Sequence, residues 1–356
     1  MSLTVVPAAS LIHRLAEFDT IIDARSEAEF DEDRLPGAVN WPTLNNAERI
    51  LIGTTYKQVN AFEAKKRGAA LAARNIAAHI ERHCLGKPKD WKPLAYCWRG
   101  GKRSGSLSLI LDQIGFKVTL VEGGYKAFRA AIVQDIVRLA SLFNFRVICG
   151  PTGSGKTRLL QTLGKAGAQI LDLEALAEHR SSVLGLIPGQ PQPSQKQFDM
   201  RVWDALRKLD PSQPVYVESE SKKVGNVSVH YALMDAIRSG QCLLLDLPLP
   251  ERVLLLLEDY DFFVKDGEYF CERLDVLKDL RGKSVIDAWK AQVRSKDAIQ
   301  LAQVVRELLE LHYDPGYASS TRRNYKNFGT HLLIVAPGRG DLNDLGFARR
   351  VLGRQG

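Results

Sequence analysis

The sequence of 356 residues contains few cysteines, and none of them is spaced for a metal or a disulfide framework. Their number is odd, and they are scattered along the chain as Cys84, Cys97, Cys149, Cys242 and Cys271. Both a disulfide-stabilised secreted protein and a zinc protein are therefore disfavoured. A reducing, cytoplasmic compartment fits this cysteine usage better.

Long apolar runs are also missing. A run such as Val253–Leu257 is far shorter than the ~20 apolar residues that a membrane-spanning helix needs. The N-terminal segment has no basic stretch, and His13, Arg14 and Glu17 interrupt its apolar residues, so we do not expect a signal peptide. A guanine-reading Asn-Lys-x-Asp string is absent from the sequence, which disfavours a GTPase. We expect a cytoplasmic protein without a membrane partner.

The composition itself is that of an ordinary globular protein, with 45% hydrophobic and 25% charged residues. At ~100–200 residues per domain, the length predicts two domains. The formal net charge is +8 and the sequence pI is near 9.2. This basic balance favours a polyanionic partner, of which nucleic acid is the usual one.

Strand and helix signals alternate through both halves of the sequence. In the first half, strands are predicted at 20–23, 93–97 and 117–121, with helices at 60–84 and 104–114. In the second half, strands are predicted at 145–149, 169–173, 214–218, 242–246 and 331–335. The alternation predicts two α/β domains with mostly parallel sheets, which we place at residues 1–138 and 139–356.

A phosphate-binding loop follows the strand at 145–149. Residues 150–157 match the pattern G-x-x-x-x-G-K-[ST] in full, and the residues concerned are Gly150, Thr152, Gly153, Ser154, Gly155, Lys156 and Thr157. Backbone N–H groups, a helix N-terminus and Lys156 suit a diphosphate. Thr157 can bind Mg²⁺, and Asp246 is a second candidate ligand because it ends a strand. For Asp246, an ordinary residue at a strand end is an equally good interpretation.

A second glycine-rich loop lies between a predicted strand and a predicted helix in the first domain. It runs through Cys97, Trp98, Arg99, Gly100, Gly101, Lys102, Arg103 and Ser104. The helix N-terminus, the loop amides and three cations favour a thiolate, so we predict that Cys97 is a nucleophile. The other cysteines fit buried structural roles better.

The Cys97 loop also reads as Cys-x5-Arg, a length that can wrap a tetrahedral oxyanion of phosphate size. Two chemistries use such a loop: hydrolysis of a phosphate ester through a phosphocysteine, and chalcogen transfer through a persulfide or perselenide. A phosphatase usually needs a general acid as well. The sequence does not identify one.

The first domain resembles a rhodanese. The resemblance is carried by Asp23-Ala24-Arg25 at a strand end, by the turn Leu35-Pro36-Gly37-Ala38 and by the Cys97 loop. This loop is one residue longer than the common rhodanese loop, which favours a ligand bulkier than a lone sulfur atom.

Taken together, the two loops resemble the bacterial tRNA 2-selenouridine synthase family. Further matching strings are Asp172-Leu173-Glu174 with His179-Arg180, Glu218-Ser219-Glu220-Ser221 with Gly225, and Tyr313-Asp314-Pro315-Gly316-Tyr317. The family usually has Arg-Gly-Ser where this chain has Arg180-Ser181-Ser182. It often has Glu-Asp-Glu-Ser where this chain has Glu218-Ser219-Glu220-Ser221.

The resemblance implies an enzyme that acts on tRNA carrying 2-thiouridine at the wobble position. Geranyl diphosphate would supply a geranyl group to the sulfur, and selenophosphate would then supply the selenium that replaces it. No tightly bound cofactor is implied, and an enzyme that supplies selenophosphate is a possible partner. Cys97 is then expected to be essential for selenation and dispensable for geranylation.

Several basic and aromatic residues are candidates for contacts with the anticodon arm or the diphosphate. Arg322, Arg323 and Tyr325 form a basic–aromatic cluster suited to a splayed-out wobble base, and a solvated surface segment is an equally good interpretation. His179 and Arg180 would add positive charge around the phosphate loop.

Two other functions remain open from the residues alone. One is a phosphotransfer enzyme that joins a kinase-like phosphate loop to a Cys-x5-Arg phosphatase-like domain. The other is a non-catalytic nucleotide-binding regulator with a vestigial rhodanese module, although an intact Cys97 loop argues against it.

Overall fold

The protein is described by a computed structural model that covers residues 3–182 and 184–353. The chain divides into two compact units. The first comprises the residues up to Ile136 together with Lys196–Arg207, and the second comprises Val137–Gln195 and the residues from Lys208 onward. A helix from the second half of the sequence therefore belongs to the first unit, where Trp203 Nε1 donates a hydrogen bond of 2.9 Å to Asp135.

The first unit is built on a parallel five-stranded sheet with the order β1-β5-β4-β2-β3. Its strands are β1 (Thr4–Pro7), β2 (Thr20–Asp23), β3 (Ala38–Asn40), β4 (Pro93–Tyr96) and β5 (Thr119–Glu122). Its helices are α1 (Ala8–Leu11), α2 (Glu27–Glu32), α3 (Asn46–Gln58), α4 (Ala61–His83), α5 (Lys102–Ile114), α6 (Gly124–Ala140, which crosses into the second unit) and α9 (Gln195–Leu206). The central strand β4 is buried along its whole length and leads into the Cys97 loop.

The second unit is built on another parallel five-stranded sheet, with the order β12-β11-β6-β8-β7. Its strands are β6 (Phe145–Cys149), β7 (Gln169–Leu171), β8 (Val215–Glu218), β11 (Gln241–Asp246) and β12 (Leu332–Val335), and the short strands β9 (Lys223–Val224) and β10 (Val227–Ser228) form a separate antiparallel pair. The strand before the phosphate loop, β6, is thus central, with β11 on one side and β8 on the other.

Helices make up most of the remainder of the second unit. They are α7 (Lys156–Lys165), α8 (Leu173–Ala177), α10 (Tyr231–Arg238), α11 (Leu249–Asp259), α12 (Asp261–Lys265), α13 (Gly267–Leu274), α14 (Lys278–Arg281), α15 (Lys283–Arg294), α16 (Ala298–Glu307), α17 (Asp314–Asn324) and α18 (Leu345–Gly353). A π-helical turn, Leu308–Tyr313, joins α16 to α17. Helices α12, α13, α15 and α16 pack around the buried Trp289 and form an apolar cluster distinct from the one beneath the sheet.

The predicted α/β class with parallel sheets is confirmed, and each predicted strand overlaps an observed one. Several elements of the first unit were not predicted, among them β1, β3, α2, α3 and α9. Within the described ranges, 3–182 and 184–353, no helix combines the length and apolarity needed to cross a membrane.

Candidate functional site

The phosphate loop adopts a backbone path that only glycine accommodates easily. Gly153 and Gly155 have φ of +75° and +82°, in the left-handed region where a side chain is strained. A Cβ at Gly155 would also lie 2.2 Å from Leu342 Cδ1. The helix α7 begins directly after the loop at Lys156, so its unpaired N–H groups face the loop.

Side chains from distant parts of the sequence hold this loop. Arg252 is buried and donates from Nε and Nη2 to the carbonyl oxygen of Thr152, at 3.0 and 2.6 Å. The same guanidinium forms an ion pair of 2.6 Å with Asp314. The hydroxyl of Tyr317 accepts a hydrogen bond from the backbone N–H of Gly150. Arg252 is therefore a loop-positioning residue and not a free cation.

Lys156 is positioned by the loop itself. Its Nζ donates to the carbonyl oxygen of Gly150 at 2.8 Å and lies 5.8 Å from the centre of the Tyr317 ring. The ammonium group therefore stays inside the cavity that the loop lines. This placement suits a side chain that meets an incoming phosphate oxygen.

Three carboxylates converge next to the phosphate loop. Oxygen atoms of Glu174, Glu218 and Glu220 all lie within 4.8 Å of one another, and Thr157 Oγ1 donates to Glu174 Oε2 at 3.4 Å. Glu218 and Glu220 are buried, and Glu218 Oε1 has no hydrogen-bond partner among the residues that the structure covers. A cation bound among these carboxylates would give that oxygen a partner.

Burial and mutual repulsion change how these groups ionise. Burial raises the pKa of Glu218 well above its ordinary value, and the neighbouring Glu174 and Glu220 raise it further. Burial, with a contribution from Glu174, raises the pKa of Glu220 to about 8. The pKa of Glu174 is also raised by burial. A cation bound among the three would reverse these shifts, because it favours the ionised forms.

The donor set fits Mg²⁺, which prefers carboxylate and hydroxyl oxygens and usually keeps several waters. Thr157, Glu174, Glu218 and Glu220 would hold such an ion. The predicted ligand Asp246 occupies a different place: it is exposed at the end of β11 and does not line the phosphate-loop cavity. Strands β11 and β8 both flank β6, but Glu218, at the end of β8, is the residue whose carboxylate points to the loop.

The phosphate loop and the carboxylates share one cavity of about 720 Å³. His179 and Arg180 line it as expected. His179 is buried, which lowers its pKa and so favours the neutral imidazole. Arg180 donates to the carbonyl oxygen of Asp259 and lies over the Tyr260 ring, with Cζ 4.6 Å from the ring centre. Its charge therefore lies at the wall of the cavity.

The three residues expected to contact tRNA do not form one cluster. Arg322 and Arg323 are exposed at the end of α17. Tyr325, by contrast, is buried, and its hydroxyl donates to the carbonyl oxygen of Glu220 at 2.8 Å. Tyr325 therefore does not lie beside Arg322 and Arg323 on the surface: its side chain supports the segment that carries Glu220 and lines the phosphate-loop cavity.

The Cys97 loop in the first unit joins β4 to α5. Cys97 is buried, and its Sγ accepts a hydrogen bond of 3.1 Å from Ser104 Oγ in the first turn of α5. The backbone N–H groups of Tyr125 and Lys126 donate to the carbonyl oxygens of Cys97 and Trp98, at 2.8 and 3.0 Å. The thiol therefore has a fixed place at a helix N-terminus, the position that favours anions.

Glycines allow a close approach between this loop and the turn before α6. Gly100 and Gly124 have φ of +64° and +59°. A Cβ at Gly124 would lie 2.2 Å from the carbonyl oxygen of Cys97 and 2.3 Å from the Gly100 nitrogen. Neither position therefore tolerates a side chain without moving the loop.

The three predicted cations of the Cys97 loop have different surroundings. Arg99 and Lys102 are exposed. Arg103 forms an ion pair of 2.6 Å with Glu29, which also caps α2 through the Ser26 backbone N–H. Arg103 therefore ties α5 to α2. Trp98 stacks on Tyr125, with ring centres 5.4 Å apart.

The Asp-x-Arg string beneath this loop is a buried ion pair. Arg25 Nη2 lies 2.6 Å from Asp23 Oδ2 and also donates to the carbonyl oxygen of Asp33 at 2.6 Å. Its guanidinium lies over the Tyr125 ring, 4.2 Å from the ring centre. Burial opposes the charge, but the contact with Asp23 outweighs burial and raises the pKa of Arg25. The pair fixes the end of β2 beside β4.

Fold and site together define the class: a rhodanese-like domain joined to a phosphate-loop domain. Sequence profiles agree, since residues 8–131 match the rhodanese-like domain and residues 143–275 match the tRNA 2-selenouridine synthase AAA domain. The chain is 34% identical to the tRNA 2-selenouridine synthase of Alcanivorax borkumensis over 82% of its own length and 80% of that protein. The chain belongs to the tRNA 2-selenouridine synthase family.

Other members of this family show the same relationship over different spans. The tRNA 2-selenouridine synthase of Nitrosomonas europaea is 38% identical over 67% of this chain, and the match spans 63% of that protein, just under two thirds of its length. The tRNA 2-selenouridine synthase of Bdellovibrio bacteriovorus is 28% identical over 91% of this chain and 95% of its own length.

Sequence reasoning missed the roles of Glu174, Glu218, Glu220 and Tyr317. The signal for Glu218 was present, because an acidic residue directly follows a buried apolar strand. The strand order that places β8 beside β6 was not available from the sequence.

Proposed function

We propose that this protein is a tRNA 2-selenouridine synthase that works in two steps. It first geranylates 2-thiouridine at the wobble position and then exchanges the geranylthio group for selenium. The observation that carries the proposal is the presence, in one chain of this family, of two anion-binding loops of different chemistry. One has a lysine beside buried carboxylates, and the other has a thiol at a helix N-terminus.

In the first step, the sulfur of 2-thiouridine attacks C1 of geranyl diphosphate. The S–C1 bond forms, the C1–O bond breaks, diphosphate leaves with the electron pair, and the N3 proton of the base passes to solvent. The loop amides of residues 150–157 and Lys156 neutralise charge that grows on the leaving diphosphate. Mg²⁺, when bound by Thr157 and the carboxylates, would add a further positive charge there.

In the second step, the selenium of selenophosphate attacks C2 of the geranylated base. The C2–Se bond forms, the C2–S bond breaks, and the sulfur leaves as geranylthiol after taking a proton. Water then cleaves the P–Se bond, which releases phosphate and gives 2-selenouridine. The length of the Cys97 loop and its place at the N-terminus of α5 suit the phosphate-like head of selenophosphate. Cys97 acts in this step and not in the first.

The RNA substrate fits the exposed cations and the charge of the chain. Wobble bases lie in a single-stranded loop, from which a base can be splayed out and brought to an active site. With a net charge of +8, the protein attracts the phosphate backbone of an anticodon arm. A 2-thiouridine anticodon arm is therefore the partner that we propose.

The test is a staged incubation of the purified protein with a 2-thiouridine anticodon stem-loop. Geranyl diphosphate is added first and selenophosphate second, and nucleoside mass spectrometry follows each stage. A geranyl adduct that converts to 2-selenouridine is the expected result.

A matched stem-loop with uridine in place of 2-thiouridine serves as the control, because it lacks the nucleophilic sulfur. No mass change in either RNA, with folded protein, would contradict the proposal. Hydrolysis of a phosphate ester that depends on Cys97 would instead support the phosphotransfer alternative.

A further inference from the structure

A second, apolar cavity lies beside the phosphate loop in the second unit. It has a volume of about 50 Å³, and its walls come mainly from α11, α12, α16 and the π-helical turn. Side chains that form these walls include Leu256, Leu257, Val264, Leu301, Val305 and Leu308. Such a wall excludes charged groups and water, since it offers them no hydrogen bonds.

The apolar cavity and the phosphate-loop cavity share part of their lining. Thr152, Ser182, Leu256, Tyr260 and Tyr313 line both of them. Thr152 belongs to the phosphate loop itself, so the two cavities meet at the loop. A ligand whose phosphates lie on the loop therefore has an apolar space next to its ester end.

The far side of the apolar cavity is closed by the protein core. Phe270 and Leu309 line it and are 3% and 0% exposed. A water needs ~10–15 Å³ of such volume, so the free space corresponds to roughly four water-sized positions. A ten-carbon tail occupies more room than this, so side chains of the wall must shift to admit it, and a longer tail would have to displace the buried core as well.

We propose that this apolar cavity holds the hydrocarbon tail of the diphosphate ester and sets the tail length that the protein accepts. The inference rests on the proposed function, because it assigns a place to the tail of the first-step substrate. Tyr260 and Tyr313 line both cavities and so lie at their junction, where the proposed ligand would change from diphosphate to hydrocarbon. An amphipathic ligand with an anionic head and an apolar tail matches this order of surfaces.

The experiment compares the binding of geranyl diphosphate with that of inorganic diphosphate, which has no tail. In the wild-type protein, we expect geranyl diphosphate to bind about tenfold or more tightly than inorganic diphosphate, because the tail buries apolar area. Leu257→Trp fills the cavity and should remove this preference. Affinity for inorganic diphosphate should change by no more than about twofold.

Leu254→Trp is the matched control, since Leu254 is on the same helix, is 41% exposed and does not line the cavity. It should keep the preference. Leu301→Trp enters the cavity from α16 and should repeat the effect of Leu257→Trp, so a local folding defect in one helix does not decide the outcome. Leu301→Ala should instead tighten the binding of farnesyl diphosphate relative to that of geranyl diphosphate.

Equal binding of the two diphosphates by the wild-type protein, or an unchanged preference in both tryptophan variants, would overturn this inference. The proposed function fails separately. If the tail preference is present and depends on Leu257 but no geranyl group reaches 2-thiouridine RNA, the cavity assignment stands and the RNA reaction is wrong.

Discussion

The Cys97 loop and the phosphate loop have the same strand–loop–helix arrangement but differ in the residues that hold them in place. Each follows a strand of a parallel sheet, contains glycine with positive φ and ends at a helix N-terminus. Cys97 Sγ is bonded to Ser104, seven residues away, and its carbonyl oxygen to Tyr125. The phosphate loop is bonded to Arg252 and Tyr317, 100 and 167 residues away along the chain.

This difference separates a site that is local in sequence from one that is assembled by the tertiary fold. In the first, the backbone positions a nucleophile, and the ion pair between Arg103 and Glu29 braces two helices. In the second, distant side chains position the loop and three carboxylates accompany its lysine. The first is suited to covalent or nucleophilic chemistry, and the second to holding an anionic leaving group beside a cation.

The largest expected effect is a loss of geranyl transfer when the phosphate loop alone is altered. Lys156→Ala should lower geranyl transfer by about 100-fold or more, because the leaving diphosphate loses a full positive charge in a secluded site. Nucleoside mass spectrometry of the 2-thiouridine stem-loop measures the loss. Lys165→Ala, an exposed position on the same helix, is the control and should behave as wild type. Retention of geranyl transfer in Lys156→Ala would break the assignment of the leaving group to this loop.

The reciprocal change is Cys97→Ala. It should leave geranyl transfer within about twofold of wild type and lower selenium incorporation by roughly 100-fold, because only the second step uses the thiol. The same staged assay measures both steps. Cys84→Ala, another buried cysteine of the first unit, is the control. Equal loss of both steps in folded Cys97→Ala would show that the two loops do not divide the work.

A smaller effect is expected where backbone geometry alone is disturbed. Gly124→Ala should lower selenium incorporation by about tenfold, since the new Cβ meets the carbonyl oxygen of Cys97 at 2.2 Å and forces the loop to move. Geranyl transfer should persist. Gly105→Ala is the control, because nothing lies within 4 Å of its Cβ in α5. Wild-type selenation in Gly124→Ala would mean that the loop tolerates displacement.

The carboxylate cluster should make stability fall as pH rises. The pKa of Glu220 rises from its ordinary value of 4.5 to about 8 in the folded chain, so the native state binds more protons than the unfolded state between these values. The free energy of unfolding therefore decreases with pH over this window in the protein without metal. Urea unfolding from about pH 5 to pH 8 measures it.

Glu220→Gln should flatten this dependence, and added Mg²⁺ should flatten it as well, because a bound cation keeps the carboxylates ionised. Glu122→Gln, an exposed position in the first unit, should leave the slope unchanged. A free energy of unfolding that rises with pH, or a pH dependence that Glu220→Gln does not alter, would contradict the buried cluster.

The smallest expected effect concerns RNA binding. Arg322→Ala with Arg323→Ala should weaken stem-loop binding only a few-fold and reduce the dependence of log affinity on log salt by ~1.4, at ~0.7 per lost single-strand phosphate contact. Fluorescence titration at several salt concentrations measures this. Arg349→Ala, exposed on α18, is the control. An unchanged salt slope in the double variant would remove these residues from the RNA surface.

Much of the fold was predictable, because apolar runs that end in polar residues marked the strands beside both loops. The position and composition of the Cys97 loop were predictable because its residues are contiguous in the sequence. The phosphate-loop site was only partly predictable: its loop is a contiguous string, but its carboxylates are not. Asp246 and Glu218 both end strands next to β6, and only the arrangement of the fold selects Glu218. Tyr325 lies in a polar stretch, where nothing in the sequence revealed its burial.

The π-helical turn at Leu308–Tyr313 accommodates one more residue than a regular α-helix would over the same length, and this sets how the apolar cavity and the phosphate-loop cavity are aligned. Helices α16 and α17 continue through it, so Leu301 and Val305 face the apolar cavity while Tyr317 and Thr321 face the polar one. If these same residues formed a regular α-helix instead, everything after them would be rotated by about 100° around the axis. Tyr317 would then swing away from Gly150. The turn thus sets the orientation of α17 relative to α16, so that one continuous helix lines both cavities.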